Sequence, residues 1–102
     1  MVHVSATITV KPGQRAAFIE AFKKLVPLVL AEDGCIAYGP TVDIPTGLAP
    51  QPPVRDNVVT VVETWQSLDQ LKAHLAAPHM QDFRTTSGHL IDSISLTATQ
   101  PV

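Results

Sequence analysis

Charge is scarce in this chain. Only 16% of its 102 residues are Asp, Glu, Lys or Arg, against 45% hydrophobic residues. So few charges leave apolar surface uncovered on a small monomer, which implies cover by a partner, most simply a second copy of the chain. Basic clusters are missing too. Lys23-Lys24 is the only adjacent basic pair and the formal net charge is -2, so the electrostatic footprint of a nucleic-acid binder is absent. Cysteine is down to one, Cys35, which excludes an internal disulfide framework and suits a reducing cytoplasm. No long hydrophobic run exists. The longest apolar helical segment is broken by Glu20, Lys23, Lys24 and Pro27, so no membrane span is expected. The opening MVHVSATITV has no basic segment followed by an apolar run and is not expected to be a signal peptide. G-x-G-x-x-G, P-loop and G-x-S-x-G patterns are all absent, so nucleotide, phosphate-loop and hydrolase readings have no support. No internal repeat is present, and the length suits one domain over residues 1–102.

What is present is clear periodicity. Val2, Val4, Ala6, Ile8 and Val10 alternate with His3, Ser5, Thr7 and Thr9, a strand with one apolar face. Lys11-Pro12-Gly13 stops it. Residues Gln14 to Ala31 carry Phe18, Phe22, Leu25 and Val29 at helical spacing, with Ile19, Val26 and Leu30 as a second line. Pro27 predicts a kink or early fraying, and Gly34 a left-handed helix end. Cys35 to Ile44 reads as a strand with Ile36, Tyr38, Val42 and Ile44 on one face. Pro40 places it at an edge, or bulges it at Gly39-Pro40. Residues 45–57, PTGLAPQPPVRDN, form a Pro-rich loop, either a surface excursion or a lid or arm. Val58 to Trp65 is almost continuously apolar, as in a central strand buried on both faces. Ser67 and Gln70 form a capping box ahead of a short helix with Leu68, Leu71 and Leu75 inward. Pro78 starts another turn with Met80 and Phe83 inward, closed by Gly88. Leu90 to Ala98 is the last strand, with Leu90, Ile94, Leu96 and Ala98 on one face. Strand, helix, strand, strand, helix, strand is the order of a ferredoxin-like α+β fold, a four-stranded antiparallel sheet with helices on one face. The bare sheet face asks for a partner. Two copies face to face would enclose a barrel-like cavity, the natural site.

Chemically useful side chains crowd between Val58 and Gly88. Trp65 serves as an aromatic pocket wall or as a core anchor whose indole N–H needs a partner. Glu63, on the same strand face, needs pairing if buried, with His74 or Arg84 as candidates; the sharper alternative is a base with a raised pKa. His74, on the shoulder of the leucine stripe, suits a cavity rim and can take a phenolic proton. It is the leading catalytic candidate, against a hydrogen-bonded rim histidine. His79 fits a turn lock donating to a backbone carbonyl. The two histidines are five apart across a proline, and no Cys or carboxylate completes a recognisable metal set in the sequence, so no metal is expected. Tyr38 either orients a substrate oxygen or packs in the core. Phe83 and Met80 read as packing, Arg84 as a surface ion pair or an anion contact, and Cys35 as an inert thiol.

Glu32-Asp33-Gly34-Cys35-Ile36-Ala37-Tyr38 fits E-x-G-C-x-x-Y, and Glu63, Trp65, Ser67, Leu71, His74, Pro78, His79 and Met80 fit E-x-W-x-S…L-x-x-H-x-x-x-P-H-φ. Together with Val10-Lys11-Pro12-Gly13 ahead of the first helix, these resemble the antibiotic biosynthesis monooxygenase family over about residues 2–96. The resemblance implies a dimeric α+β barrel and a homodimer. It implies oxygenation of a quinol, phenolic or polycyclic aromatic substrate by dioxygen without metal or flavin, the substrate anion reacting in a dry pocket beside a proton acceptor. On that reading His74 accepts the proton, Trp65 and Phe83 hold the ring, Tyr38 orients an oxygen, and Glu63 joins the pocket. The sequence departs from the pattern at Pro27, in the long Pro-rich loop, and at Val61, where a polar residue would help. Ala6 and Ala76 stand where haem-degrading relatives carry an Asn and a second Trp, so no haem is implied. A cofactor-free isomerase acting on a small carbonyl compound, or a non-catalytic small-molecule-binding dimer, would use the same frame.

Overall fold

A computed structural model describes residues 1–102. Strand β1 (Val2–Val10) leads to helix α1 (Arg15–Leu30), then β2 (Cys35–Thr41), β3 (Val58–Trp65), α2 (Leu68–Leu75), α3 (Pro78–Ser87), a 3-10 turn at Gly88–Leu90 and β4 (Ile91–Thr99). The sheet order is β2-β3-β1-β4, and every pair is antiparallel. This is the ferredoxin-like α+β fold expected from the element order. Alternation in β1 buries Val4, Ala6, Ile8 and Val10, while Val59, Val61, Glu63 and Trp65 bury from β3. The α1 stripe of Phe18, Phe22, Leu25 and Val29 packs on them. At about 25 cal/mol per Å² of apolar area, this interlock of sheet face and helix stripe is the main source of stability.

The opposite sheet face is built from His3, Ser5, Thr7 and Thr9, Thr60, Val62 and Thr64, and hydroxyl residues of β4. Nothing in the chain covers it. Burial of β3 on both faces is therefore corrected: Val62 is 49% exposed. β3 is nevertheless central, and β2 lies at an edge as its proline requires. The irregularity in β2 falls between Cys35 and Ala37, not at Gly39-Pro40. It turns Ile36 outward, and Val42 and Ile44 lie beyond the strand, exposed. Pro40 sits opposite Val61 without breaking the ladder, since an edge strand has one side with no partner to lose.

Helix α1 runs through Pro27 to Leu30. The proline falls in the last turn, where only a few carbonyls follow. Leu30 points outward at 47% exposure, so the second apolar line ends at Val26. In α2 the cap is as expected, with Ser67 Oγ accepting from the Gln70 N–H at 3.3 Å. Gln70's side chain does not return to Ser67's backbone; it reaches Asp33 across the fold at 3.4 Å. The buried α2 residues are Leu71 and His74, with Leu68 and Leu75 exposed, because a helix two turns long seats one narrow face on the sheet. Leu90 belongs to the 3-10 turn. Ile94 and Leu96 share the helix side with Ile8 and Ala6, yet stay exposed because no helix reaches over β4. The loop between β2 and β3 is closed by Arg55, whose guanidinium grips Asp43 at 2.8 and 3.0 Å. Those hydrogen bonds hold the Asp43 carboxyl down at about 2.

Candidate active site

The uncovered half of the sheet under β4 leaves a cavity of about 120 Å³ between strands and helices. An apolar cavity of about 150 Å³ takes up a benzene ring, so this one is of the size for a single ring. Its walls are mainly apolar, with Phe22, Val61, Met80 and Phe83 among them, and Tyr38, Glu63, His74 and Arg84 bring the polar atoms. A larger hollow of about 380 Å³ lies inside the Pro-rich loop, but no ionisable side chain lines it.

His74 is 1% exposed, buried rather than at a rim. Its ring packs against Trp65 at 4.7 Å and Tyr38 at 5.3 Å between centroids. Nδ1 lies 2.8 Å from Glu32 Oε2. Nε2 has no protein partner, and no buried polar side-chain atom is sealed away without one, so Nε2 opens on the cavity His74 lines. The same reasoning places the Tyr38 hydroxyl and Glu63 Oε2 at the cavity.

Glu63 is paired with neither His74 nor Arg84. Its Oε1 accepts from the Trp65 indole N–H at 2.9 Å, a bond possible because residues two apart on β3 share a face. Arg84 instead donates to the Leu75 carbonyl at 2.8 Å. Burial pushes the Glu63 carboxyl above the usual range; the indole bond pulls back, as does His74 when its ring is protonated, and Glu32 adds to the rise. Trp65 does not line the cavity. It stands one ring back, behind His74. Tyr38 stacks on Phe22 at 5.5 Å, and burial, with the charges of Glu63, Glu32 and Cys35, drives its phenol far above the ordinary value. Phe83 sets its edge against Phe18 and Phe22. Burial and the Glu32 and Glu63 charges raise the Cys35 thiol, which makes it a poor nucleophile.

His79 is not a turn lock. Its Nε2 lies 2.8 Å from Glu32 Oε2. A carboxylate does complete a His-His-Glu set, and its donor atoms lie within 4.8 Å of one another. Glu32 escapes a local reading of the sequence because it stands in the turn after α1, far along the chain from both histidines; its place in the E-x-G-C-x-x-Y pattern is the only signal. Gly34, at φ +81°, turns the chain from α1 into β2, and its carbonyl accepts from the Gln66 N–H at 2.9 Å. That bond ties the Glu32 turn to the start of α2.

Because the folded Glu63 pKa is raised, the folded chain binds more protons than the unfolded one above the ordinary carboxylate range. Its stability contribution is present below the unfolded pKa and declines as pH rises through the window. Glu63→Gln keeps an oxygen for the indole and removes the charge. It is expected to be more stable than the parent, with the gap widening as pH rises above the ordinary carboxylate range. Urea midpoints across pH measure this, and a constant gap would show Glu63 is not strained.

A family model described as antibiotic biosynthesis monooxygenase matches residues 1–86. The Escherichia coli (strain K12) protein named probable quinol monooxygenase YgiN is 42% identical over 85 residues, 81% of each chain. Rv0793 from Mycobacterium tuberculosis superposes with TM-score 0.79 at 22% identity, covering 99% of this chain and 94% of that one. PA3566 from Pseudomonas aeruginosa gives TM-score 0.80 at 22% identity, over 99% and 93%. At that identity the two structures speak for the fold. No helix is long and apolar enough to cross a membrane.

Proposed function

The chain belongs to the antibiotic biosynthesis monooxygenase family, and on that premise we propose that it is a cofactor-independent monooxygenase acting on a quinol or related phenolic compound. The observation that carries the reading is His74 Nε2, a free imidazole nitrogen on the wall of an otherwise apolar, ring-sized cavity. The phenolic O–H bond breaks and its proton goes to Nε2, leaving an electron-rich anion that reacts with dioxygen. One oxygen atom enters the ring as C–OH and the other leaves as water. Quinol plus dioxygen gives hydroxyquinone plus water. The quinol supplies all four electrons, two on becoming a quinone and two where C–H becomes C–OH, so no external reductant is needed. The Tyr38 hydroxyl, kept protonated by burial, donates to a substrate oxygen. Phe83 grips the ring, and Trp65 fixes His74 from behind. Glu63 stands beside the ring.

The working unit in this proposal is a cytoplasmic homodimer. The bare face of β1 and β3 is small, hydroxyl-rich and uncovered, and a second sheet laid on it closes a barrel. A specific observation also favours a second reading: Glu63 and His74 face one cavity, the two bases a proton-transfer isomerase needs. Dioxygen separates the two. Protein treated with chelator is expected to consume about one dioxygen per quinol, above autoxidation, and to give no product under nitrogen. Product formed without dioxygen overturns the oxygenase in favour of the isomerase. No turnover of either kind leaves a binding protein.

A further inference from the structure

Glu32 precedes His74 by 42 positions and His79 by 47, yet its Oε2 is 2.8 Å from a nitrogen of each. An ionised carboxylate only accepts hydrogen bonds, so His74 Nδ1 and His79 Nε2 both carry the proton. We propose that Glu32 and His79 are positioning residues for His74, Glu32 setting its tautomer and His79 pinning Glu32. The inference rests on the reading of His74 as proton acceptor. With the proton on Nδ1, the lone pair is on Nε2, the atom open to the cavity. When Nε2 takes the substrate proton, the ring becomes a cation with a carboxylate against its far side.

His79 supplies the second of the two side-chain hydrogen bonds that hold Glu32. It stands in the turn between α1 and β2, its side chain 14% exposed, and only Oε2 is used. Without His79 the carboxylate would keep one contact and gain rotamers toward water. His79 itself is steadied by its place in the first turn of α3, behind Pro78. The triad therefore joins the α1–β2 turn, α2 and α3 at a single oxygen.

Two histidines and a carboxylate are also a zinc-type ligand set. The spacing favours protons. A separation of 2.8 Å between nitrogen and oxygen is a hydrogen-bond length, whereas ligands bound at about 2.0–2.1 Å around one tetrahedral ion sit about 3.3 Å apart.

Long-range proton–nitrogen spectra of the four histidines read the tautomers directly. His74 is expected to be protonated at Nδ1 and bare at Nε2 in the parent and in His79→Gln, which keeps an N–H near the place of Nε2. In His79→Leu and Glu32→Gln both tautomers are expected. In kinetics, Glu32→Gln is expected to lower kcat by at least about 100-fold. His79→Leu is expected to lose about 10-fold, and His79→Gln to stay within about 2-fold of the parent, with KM little changed throughout. His74 protonated at Nε2 in the parent overturns the proposal, as does His79→Leu with unchanged tautomer and kcat. Stoichiometric tight binding of zinc ion, abolished by the same substitutions, overturns it in favour of a metal site. A parent that consumes no dioxygen with quinols refutes the oxygenase reading alone, and the spectra still decide the positioning.

Discussion

His74→Asn is expected to lower kcat by about 10²–10⁴-fold, the usual worth of a placed general base. Asn is chosen because its amide N–H can stand where Nδ1 stood, so Glu32 keeps a donor while the basic nitrogen at the cavity disappears. The variant should fold. The ring it replaces is wedged between Trp65 and Tyr38, so some loss of melting temperature is expected. KM should change little, because the apolar wall proposed to hold the ring is untouched. Steady-state rates of dioxygen uptake at saturating quinol make the test, with circular dichroism confirming the fold. A kcat within about 3-fold of the parent would remove His74 from the chemistry and move attention to Glu63 as the base.

The largest effect on stability is expected at Trp65. Its side chain is fully buried at the end of β3, the largest such side chain in the chain. Trp65→Ala removes that volume from a site backed by the sheet and is expected to cost about 3–5 kcal/mol. For a domain of this size each kcal/mol moves the melting temperature by about 4–8 °C, so a fall of about 12–40 °C follows from those two ranges. Total stabilities run to only about 5–15 kcal/mol, so the variant approaches unfolding at ordinary temperatures. Trp65→Phe separates packing from hydrogen bonding. It keeps most of the ring and deletes the indole N–H that Glu63 Oε1 accepts at 2.9 Å. Leaving a buried acceptor unpaired costs about 1–3 kcal/mol. That bond holds the Glu63 pKa down against burial, so the cost should grow as pH rises and the carboxyl ionises. Urea denaturation at acid and neutral pH measures it. A cost independent of pH would mean the indole bond matters only as packing.

These two expectations meet in one stack of rings. Trp65 backs His74, His74 touches Tyr38, and Tyr38 stacks on Phe22. The proposed chemistry and the core share these residues, so a substitution chosen to test chemistry also disturbs packing. Paired variants that keep one property and remove the other are therefore required.

Much of the fold was legible in the chain. The two-residue alternation of β1, the Phe18-Phe22-Leu25-Val29 stripe of α1 and the Ser67 cap of α2 are local patterns, set by the repeats of strand and helix themselves. Pro40 at an edge and a left-handed glycine at Gly34 follow from backbone sterics, although Gly34 falls in the turn into β2 and α1 itself ends earlier, at Leu30. The element order then left few ways to pair four strands. Tertiary structure decided the rest. Which leucines of α2 turn inward, and why Ile94 and Leu96 stay bare on the apolar side of β4, depend on how far the helices reach across the sheet. Glu63's partner proved to be Trp65, two residues away, because burial removed water as the alternative. Glu32 joined His74 and His79 only because the Gly34 turn is tied to the start of α2. Periodicity acts over one or two turns, whereas a contact spanning more than forty residues is set by sheet order and turn geometry, which no local pattern encodes.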